Sequence, residues 1–320
     1  MQNISVYFNH LASHADLSFK DEINQSLFRS QLNFKSPSSL EQLHFELRED
    51  IKNNIDAVLS VGGDGTVHSI IQKLAGTDIS LFVLPGGTAN DLASYIGSTK
   101  NAKKMAQTIR NNLRKKIDLI SVNGVFMSTN GGLGLASEVA VEVNQTRKNF
   151  PKFKDFMRMS GKNIYPLILS KNLLLKEIIS YDFEIESIEF SKKLVSPLIL
   201  INNQPILGGS FEVAPYTKHD DGTFNVTIFT HTNRLELISC LTRLLLKQDI
   251  SLDKNLIQFE TKEINIKHLS NEKLNFFGDG ETFSYSNEWN IKLYPDFLTI
   301  FAPSDIDEFK NISTQISLLN

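Results

Sequence analysis

The 320-residue chain has a single cysteine, Cys240, and a single tryptophan. One cysteine excludes an intrachain disulfide and makes a cysteine-based zinc site implausible. It fits a reducing compartment. No apolar run approaches the ~20 residues that cross a bilayer as a helix. Met1 to His10 has neither a positive start nor a long apolar core, so it does not read as a signal peptide. Charge of one sign is also scarce in excess: the net charge is −3 and the pI about 6.2, so nucleic-acid binding through bulk charge is not expected. There is no internal repeat, low-complexity tract or long linker. What remains is an ordinary globular composition, 41% hydrophobic and 22% charged, long enough for one large or two medium domains.

The most informative stretch is residues 55 to 93, which holds two units of one design. Ile55 to Val61 runs into Gly62-Gly63-Asp64-Gly65-Thr66, and Ile79 to Leu84 runs into Pro85-Gly86-Gly87-Thr88-Ala89-Asn90-Asp91. Short runs of Val, Ile and Leu, closed by glycines and followed by helical spacing, predict parallel strands of an α/β sheet. In such sheets ligands bind beyond the carboxyl ends of the strands, where both turns fall.

The residue types in these turns suit a polyphosphate. Gly62, Gly63 and Gly65 permit close backbone approach and positive φ. Successive N–H groups at the head of a helix attract phosphate. Thr66 and Thr88 offer hydroxyls without charge. Asp64 repels phosphate unless a cation or proton intervenes, which points to magnesium or to acid–base work. One GGDGT alone also describes an ordinary tight turn; two such turns on consecutive strands point to a shared site.

The GGDGT segment resembles that of three groups of kinases: diacylglycerol-kinase-type lipid kinases, NAD kinases and 6-phosphofructokinases. Leu84 to Ala93 (LPGGTANDLA) is similar to the second motif of the lipid kinases, and Asp279-Gly280-Glu281 resembles their D-G-E motif. The likeness to the soluble bacterial YegS-like branch runs from Asn9 to Glu281. It implies an α/β N-terminal domain, Rossmann-like and of NAD kinase/diacylglycerol kinase type, over 1–122 and joined by a C-terminal helix over 303–320. A β-rich, sandwich-like lipid-substrate domain is expected over 123–302.

The same resemblance implies roles. Asn9 matches the family's first phosphate-facing loop, although His10 to Ser13 do not. Ser36 is aligned with a nucleotide-contacting hydroxyl. Lys218-His219-Asp220-Asp221-Gly222-Thr223 resembles a segment in which an aspartate and two backbone carbonyls hold magnesium; carried over, these are Asp221 with the carbonyls of Lys218 and Thr223. Glu281 is implied as the base, Asp279 as the group orienting it or Mg-ATP, and Asp64 as acting on the phosphates through magnesium and water. Gly62, Gly63, Gly65, Thr66, Gly87, Thr88 and Asn90 complete the nucleotide site, with Asn90 and Asp91 bracing the second turn. Three positions depart from the family: His10, His68-Ser69 where Asn-Glu is usual, and Gly134-Leu135-Ala136, which lacks an acid and speaks against a cationic headgroup.

Further elements follow from pattern. Helices are predicted near 19–30, from Ser38 or Ser39 onward, from Val67 to Leu74, over 103–116, over 164–178, and over 233–247 with Leu235, Ile238, Leu241 and Leu245 on one side. Strands are expected at 4–8, 32–34, 117–122, 181–186, 198–202, 211–215, 224–229, 259–269, 289–293 and 298–301. Asn123-Gly124 predicts a hairpin turn. His10, His14, His68 and His219 read as solvated. Residues 147 to 162 interleave Lys152, Lys154 and Arg158 with Phe150, Phe153 and Phe156, a pattern suited to an anionic bilayer surface or to an amphipathic helix facing the core.

The expected activity is therefore transfer of the γ-phosphate of Mg-ATP to the hydroxyl of an acyl lipid such as diacylglycerol or phosphatidylglycerol. The partner is a membrane lipid, reached by peripheral contact at the inner face of the membrane from the cytoplasm. Two rivals stand beside it: a NAD kinase-like small-molecule kinase, which would lack the PGGTAND and DGE segments, and a non-catalytic lipid-binding regulator, which would have no need of Asp64, Asp279 and Glu281.

Overall fold

Four apolar runs form the parallel strands β1 (Asn3–Phe8), β2 (Gln31–Lys35), β3 (Ala57–Gly62) and β4 (Ser80–Pro85), in the order β2-β1-β3-β4. The structure is a computed structural model describing residues 2–9, 17–87, 89–149 and 164–303. The chain divides into two compact units, Met1–Ile117 with Phe297–Asn320, and Asp118–Asp296. The predicted basic-aromatic segment from Phe150, the residues His10, His14 and Thr88, and the predicted closing helix from Ser304 lie outside the described residues.

In the first unit, α1 (Leu17–Ser26) and α5 (Ala102–Arg110) cover one face of the sheet, with Phe19, Ile23, Met105 and Ile109 in one core with Ile4, Val6 and Leu59. Each such side chain, fully buried, contributes about 1.5–3 kcal/mol. Helix α2 (Leu40–Lys52) starts at Ser39, whose side chain accepts from the Gln42 N–H. Tyr7 and Lys35 both donate to the buried Asp50 carboxylate of α2, each at 2.6 Å. Burial, aided by Asp50, pushes the Tyr7 phenol far above its ordinary range, so it remains a donor. Since β1 to β4 are parallel, Ser36, Asn9, Gly62-Gly63 and Pro85-Gly86-Gly87 all follow the same ends of their strands.

The second unit is a β-sandwich. One sheet has the order β14-β13-β10-β7-β16-β17, built from β7 (Asn130–Gly134), β10 (Leu198–Asn202), β13 (Phe224–Phe229), β14 (Leu256–Thr261), β16 (Leu274–Gly278) and β17 (Glu281–Ser286). The other holds β5 (Arg114–Val122), β6 (Val125–Met127), β8 (Tyr181–Glu186), β9 (Ser191–Ser196), β15 (Glu263–His268) and β18 (Glu288–Phe301). Ile199, Ile201, Val226 and Phe276 meet Ile120, Phe183, Ile266 and Trp289 between the sheets. Leu198, Leu200 and Phe229 face the opposite way, toward Leu173 of α7 (Ile164–Leu175) and Leu237, Leu241 and Leu244 of α8 (Arg234–Leu245). Coverage of both faces explains the unbroken apolar run at 198–201. The strand pair β11 (Ile206–Leu207) and β12 (Phe211–Glu212) completes the unit.

Several expectations change. The helix predicted over 103–116 ends at Arg110, because Asn112 takes a left-handed φ of 53°, and the next strand begins at Arg114. The run 259–269 is two strands in different sheets, since the chain changes sheet between Thr261 and Glu263. The runs 289–293 and 298–301 are one strand, β18, which passes through Asp296 at φ 52°. The predicted strand 211–215 pairs only at Phe211 and Glu212. In α8 the buried face is Leu237, Cys240, Leu241 and Leu244, while Leu235 is exposed. His219 is buried rather than solvated, and His68 is half-buried. The Asn123-Gly124 turn is as predicted, with φ of 49° and 86° joining β5 to β6.

Candidate active site

In the first unit the two glycine turns lie backbone against backbone. A Cβ on Gly87 would stand 2.6 Å from the Cα of Gly63, and one on Gly86 would stand 3.1 Å from the Cα of Gly62. The Gly86 N–H donates to the Gly62 carbonyl at 2.8 Å. Close approach is thus what these glycines supply. The predicted positive φ is not found at Gly62, Gly63 or Gly65. Gly65 sits within the first turn of α3 (Asp64–Leu74), which Gly63 precedes as an extended N-cap with no side chain to bond the first N–H groups.

Asp64 ties the turns together. Its two carboxylate oxygens accept from the N–H groups of Asn90 and Asp91, each at 2.8 Å, at the head of α4 (Asp91–Tyr95). Asn90, in a left-handed conformation at φ 51°, folds its amide onto Gly87: its Oδ1 accepts from the Gly87 N–H and its Nδ2 donates to the Gly87 carbonyl, both at 2.8 Å. The Asn9 amide donates to Thr66 Oγ1 at 2.9 Å, which orients that hydroxyl to give its own proton elsewhere. Ser36 is exposed just beyond β2. Ser69, one of the departures from the family, turns its hydroxyl back to the Gly65 carbonyl at 2.8 Å.

In the second unit Asp279 and Gly280, at φ 52° and 78°, form the two-residue turn between β16 and β17. The polar hairpin and the acid motif are therefore the same object. Asp279 is buried, and its Oδ1 accepts from the Thr129 N–H at 2.8 Å and the Thr129 hydroxyl at 2.7 Å. The Ser128 N–H lies 3.1 Å from both carboxylate oxygens. A carboxylate so supplied with donors is a clamp. Glu281, the first residue of β17, is half-buried beside it. Ser128 and Thr129 were not singled out in the sequence; the polar triplet Ser128-Thr129-Asn130 ahead of two glycines is their one local trace.

Lys218, Asp221 and Thr223 share one turn. Asp221 accepts from the Lys218 N–H at 3.0 Å and from the Thr223 N–H at 3.2 Å. Asp118, also missed in the sequence, anchors this turn: its carboxylate accepts from the N–H groups of Gly222 and Asp296, both at 2.8 Å. Burial pushes the Asp118 carboxyl up against those two bonds, with Asp296 and Asp221 adding to the rise. Both Asp221 oxygens are engaged by main-chain N–H groups of its own turn, and a carboxylate is the hard oxygen ligand that magnesium takes. Separately, Glu138, Glu142, Lys176, Tyr181 and Lys273 line a polar cavity of about 530 Å³. The Lys176 ammonium, joined by Lys171 and opposed by burial, holds the Glu142 carboxyl down to about 2.

Known proteins share these features. Residues 12–122 match the model of the diacylglycerol kinase catalytic domain, and residues 137–302 match that of the YegS C-terminal NAD kinase beta sandwich-like domain. A diacylglycerol kinase of Mycobacterium tuberculosis is 26% identical over 79% of this chain and 79% of its own. A diacylglycerol kinase of Bacillus subtilis is 28% identical over 73% of this chain and 74% of its own. The crystal structure of a diacylglycerol kinase from Bacillus anthracis superposes with a TM-score of 0.71 at 19% identity, covering 95% and 98% of the two chains. An NAD kinase from Archaeoglobus fulgidus, solved with ATP, reaches 0.53 at 14% identity and 99% coverage of both. With both units matched in order by this family's domains, the chain belongs to the diacylglycerol-kinase-type lipid kinases, in their YegS-like branch.

Proposed function

We propose that this protein transfers the γ-phosphate of ATP to the hydroxyl of an acyl lipid, diacylglycerol and phosphatidylglycerol being the first acceptors to test. The observation that carries the reading is the unequal pair on the β16–β17 hairpin: Asp279 is consumed by Ser128 and Thr129, and Glu281 beside it is half-buried. A carboxylate rigidly clamped next to a second one is what positions a general base, and a pure binding module has no use for it.

Phosphoryl transfer needs mainly positioning and charge stabilisation. The N–H groups at the head of α3 and the hydroxyls of Thr66 and Thr88 receive phosphate oxygens. Asp64 and Asn90 hold the two turns in contact, so Asp64 serves first as a brace. Asp221, with the carbonyls of Lys218 and Thr223, would hold a structural magnesium, and Asp64 would meet a nucleotide-bound one through water. Magnesium, when bound, neutralises charge on the phosphates. Glu281 takes the proton of the acceptor hydroxyl, and Asp279 fixes the turn that carries it. Among the described residues no helix is long and apolar enough to cross a membrane, so a lipid acceptor is met at a bilayer surface.

The test is transfer of labelled γ-phosphate from Mg-ATP to vesicles carrying a panel of lipid alcohols, with NAD as a competing acceptor and Glu281→Gln alongside. A labelled lipid whose formation drops by about 10²–10⁴ in the variant, with ATP binding kept, is the expected result. Label on NAD instead, or full activity in Glu281→Gln, overturns the reading.

A further inference from the structure

Away from the residues above, the second unit brings together three side chains of different donor chemistry. His231 follows β13, Cys240 lies on the buried face of α8, and Asp253 sits in the loop between α8 and β14. One ligand atom from each lies within 4.8 Å of the other two. His231 and Cys240 are 3% and 1% exposed, and Asp253 is partly buried.

Asp253 is hydrogen-bonded by the Cys240 thiol and only loosely by His231. His231 Nε2 is 3.4 Å from Oδ1 and 3.4 Å from Oδ2 of Asp253, beyond the range of a good N–H···O bond. Two ligands of a tetrahedral zinc, with bonds of about 2.0 Å, stand about 3.3 Å apart. His231 Nδ1 is buried with no hydrogen-bond partner. If the proton is on Nδ1, the Nε2 lone pair faces a carboxylate. If it is on Nε2, the bond to Asp253 is long and Nδ1 is left bare. A cation between ring, carboxylate and sulfur satisfies the inward-facing atoms of all three groups.

Charge also balances. Zinc with one thiolate, one carboxylate and one neutral imidazole is a neutral cluster, which burial tolerates. The loop is shaped to present Asp253: Asn255 N–H donates to its Oδ1 at 3.0 Å, and its own N–H donates to the Ile250 carbonyl at 2.9 Å. Arg243 Nη1, 4.0 Å from Oδ2, is the nearby cation, on the more exposed side.

We propose that His231, Cys240 and Asp253 form a zinc-type metal site, with water as fourth ligand, that fastens the loop before β14 to helix α8 and the end of β13. Such a site would run against the expectation drawn from a single cysteine, with histidine and aspartate supplying the remaining ligands. The site is independent of the kinase reading.

The test uses the full chain, freed of metal and titrated with Co²⁺. A thiolate-to-cobalt charge-transfer band saturating at one equivalent and displaced by Zn²⁺ is expected. Because Cys240 is the chain's one cysteine, that band identifies it in the wild-type protein, whatever the stability of any variant. Cys240→Ser should abolish the band, and Asp253→Asn should weaken Co²⁺ binding more than about tenfold, at least what loss of a second-shell partner costs. Zn²⁺ should raise the melting temperature of wild type and not of Cys240→Ser. No Co²⁺ binding, binding without the thiolate band, or a band that persists in Cys240→Ser overturns the proposal.

Discussion

In the first unit the turn glycines stand where two backbones touch, a Cβ on Gly87 falling 2.6 Å from the Cα of Gly63, with ordinary φ at both. In the second unit Gly222 has nothing within 4 Å of a built Cβ, yet its φ is +75°. The same residue type answers two different demands, contact in one place and handedness in the other. The acids differ in parallel. Asp64 bonds amides of a neighbouring turn at a half-buried site, whereas Asp279 is buried and gathers donors from two residues 150 and 151 positions away.

Substitutions at four positions sharpen this contrast. Asp279→Ala strands the buried N–H groups of Ser128 and Thr129 and should cost about 3 kcal/mol by urea unfolding; a cost below about 1 kcal/mol would mean the carboxylate is no clamp. Gly87→Ala should cost about 2 kcal/mol through overpacking and weaken ATP binding in the same preparation, with Gly87→Asn no better. Glu142→Gln tests a clamp near solvent. The Glu142 carboxyl is lowered from 4.5 to about 2, so its contribution is fully present above 4.5 and lost as pH falls toward 2. With Lys171 and Lys176 more than half exposed, screening limits it to about 1 kcal/mol. The stability gap between wild type and Glu142→Gln should narrow between pH 7 and pH 3; a constant gap would assign the effect to packing. Gly222→Ala should cost about 1 kcal/mol or less, and Gly222→Asn less still, since asparagine tolerates left-handed φ. Equal costs for alanine and asparagine at 222 would erase the distinction from Gly87.

The contrast also explains what the sequence disclosed. The parallel strands and both glycine turns were legible because strand, turn and helix are contiguous, and a local pattern carries them. Their reason was not legible: nothing local says that Gly63 meets Gly87. The clamp residues were hidden by distance. Asp118 reaches Gly222 across 104 positions, and in the sequence it is one acid inside an apolar strand. The face of α8 was misread because Leu235, Ile238, Leu241 and Leu245 also repeat at helical spacing, while the buried set includes a cysteine that a leucine count passes over. Residues 259–269 kept their alternation while changing sheets, so period alone could not mark the break at Lys262.

Strand β18 has a consequence for the order of folding. Its early residues pair with β15, Glu263 opposite Lys292, while Ile300 pairs with Leu81 of β4. One segment late in the chain therefore completes a sheet in each unit. A nascent chain emerging from the ribosome exposes the edge of β4 until some two hundred further residues have been made, a long-range closure of the kind that slows folding and lengthens exposure to aggregation. A chaperone would find the unpaired β4 edge throughout that interval.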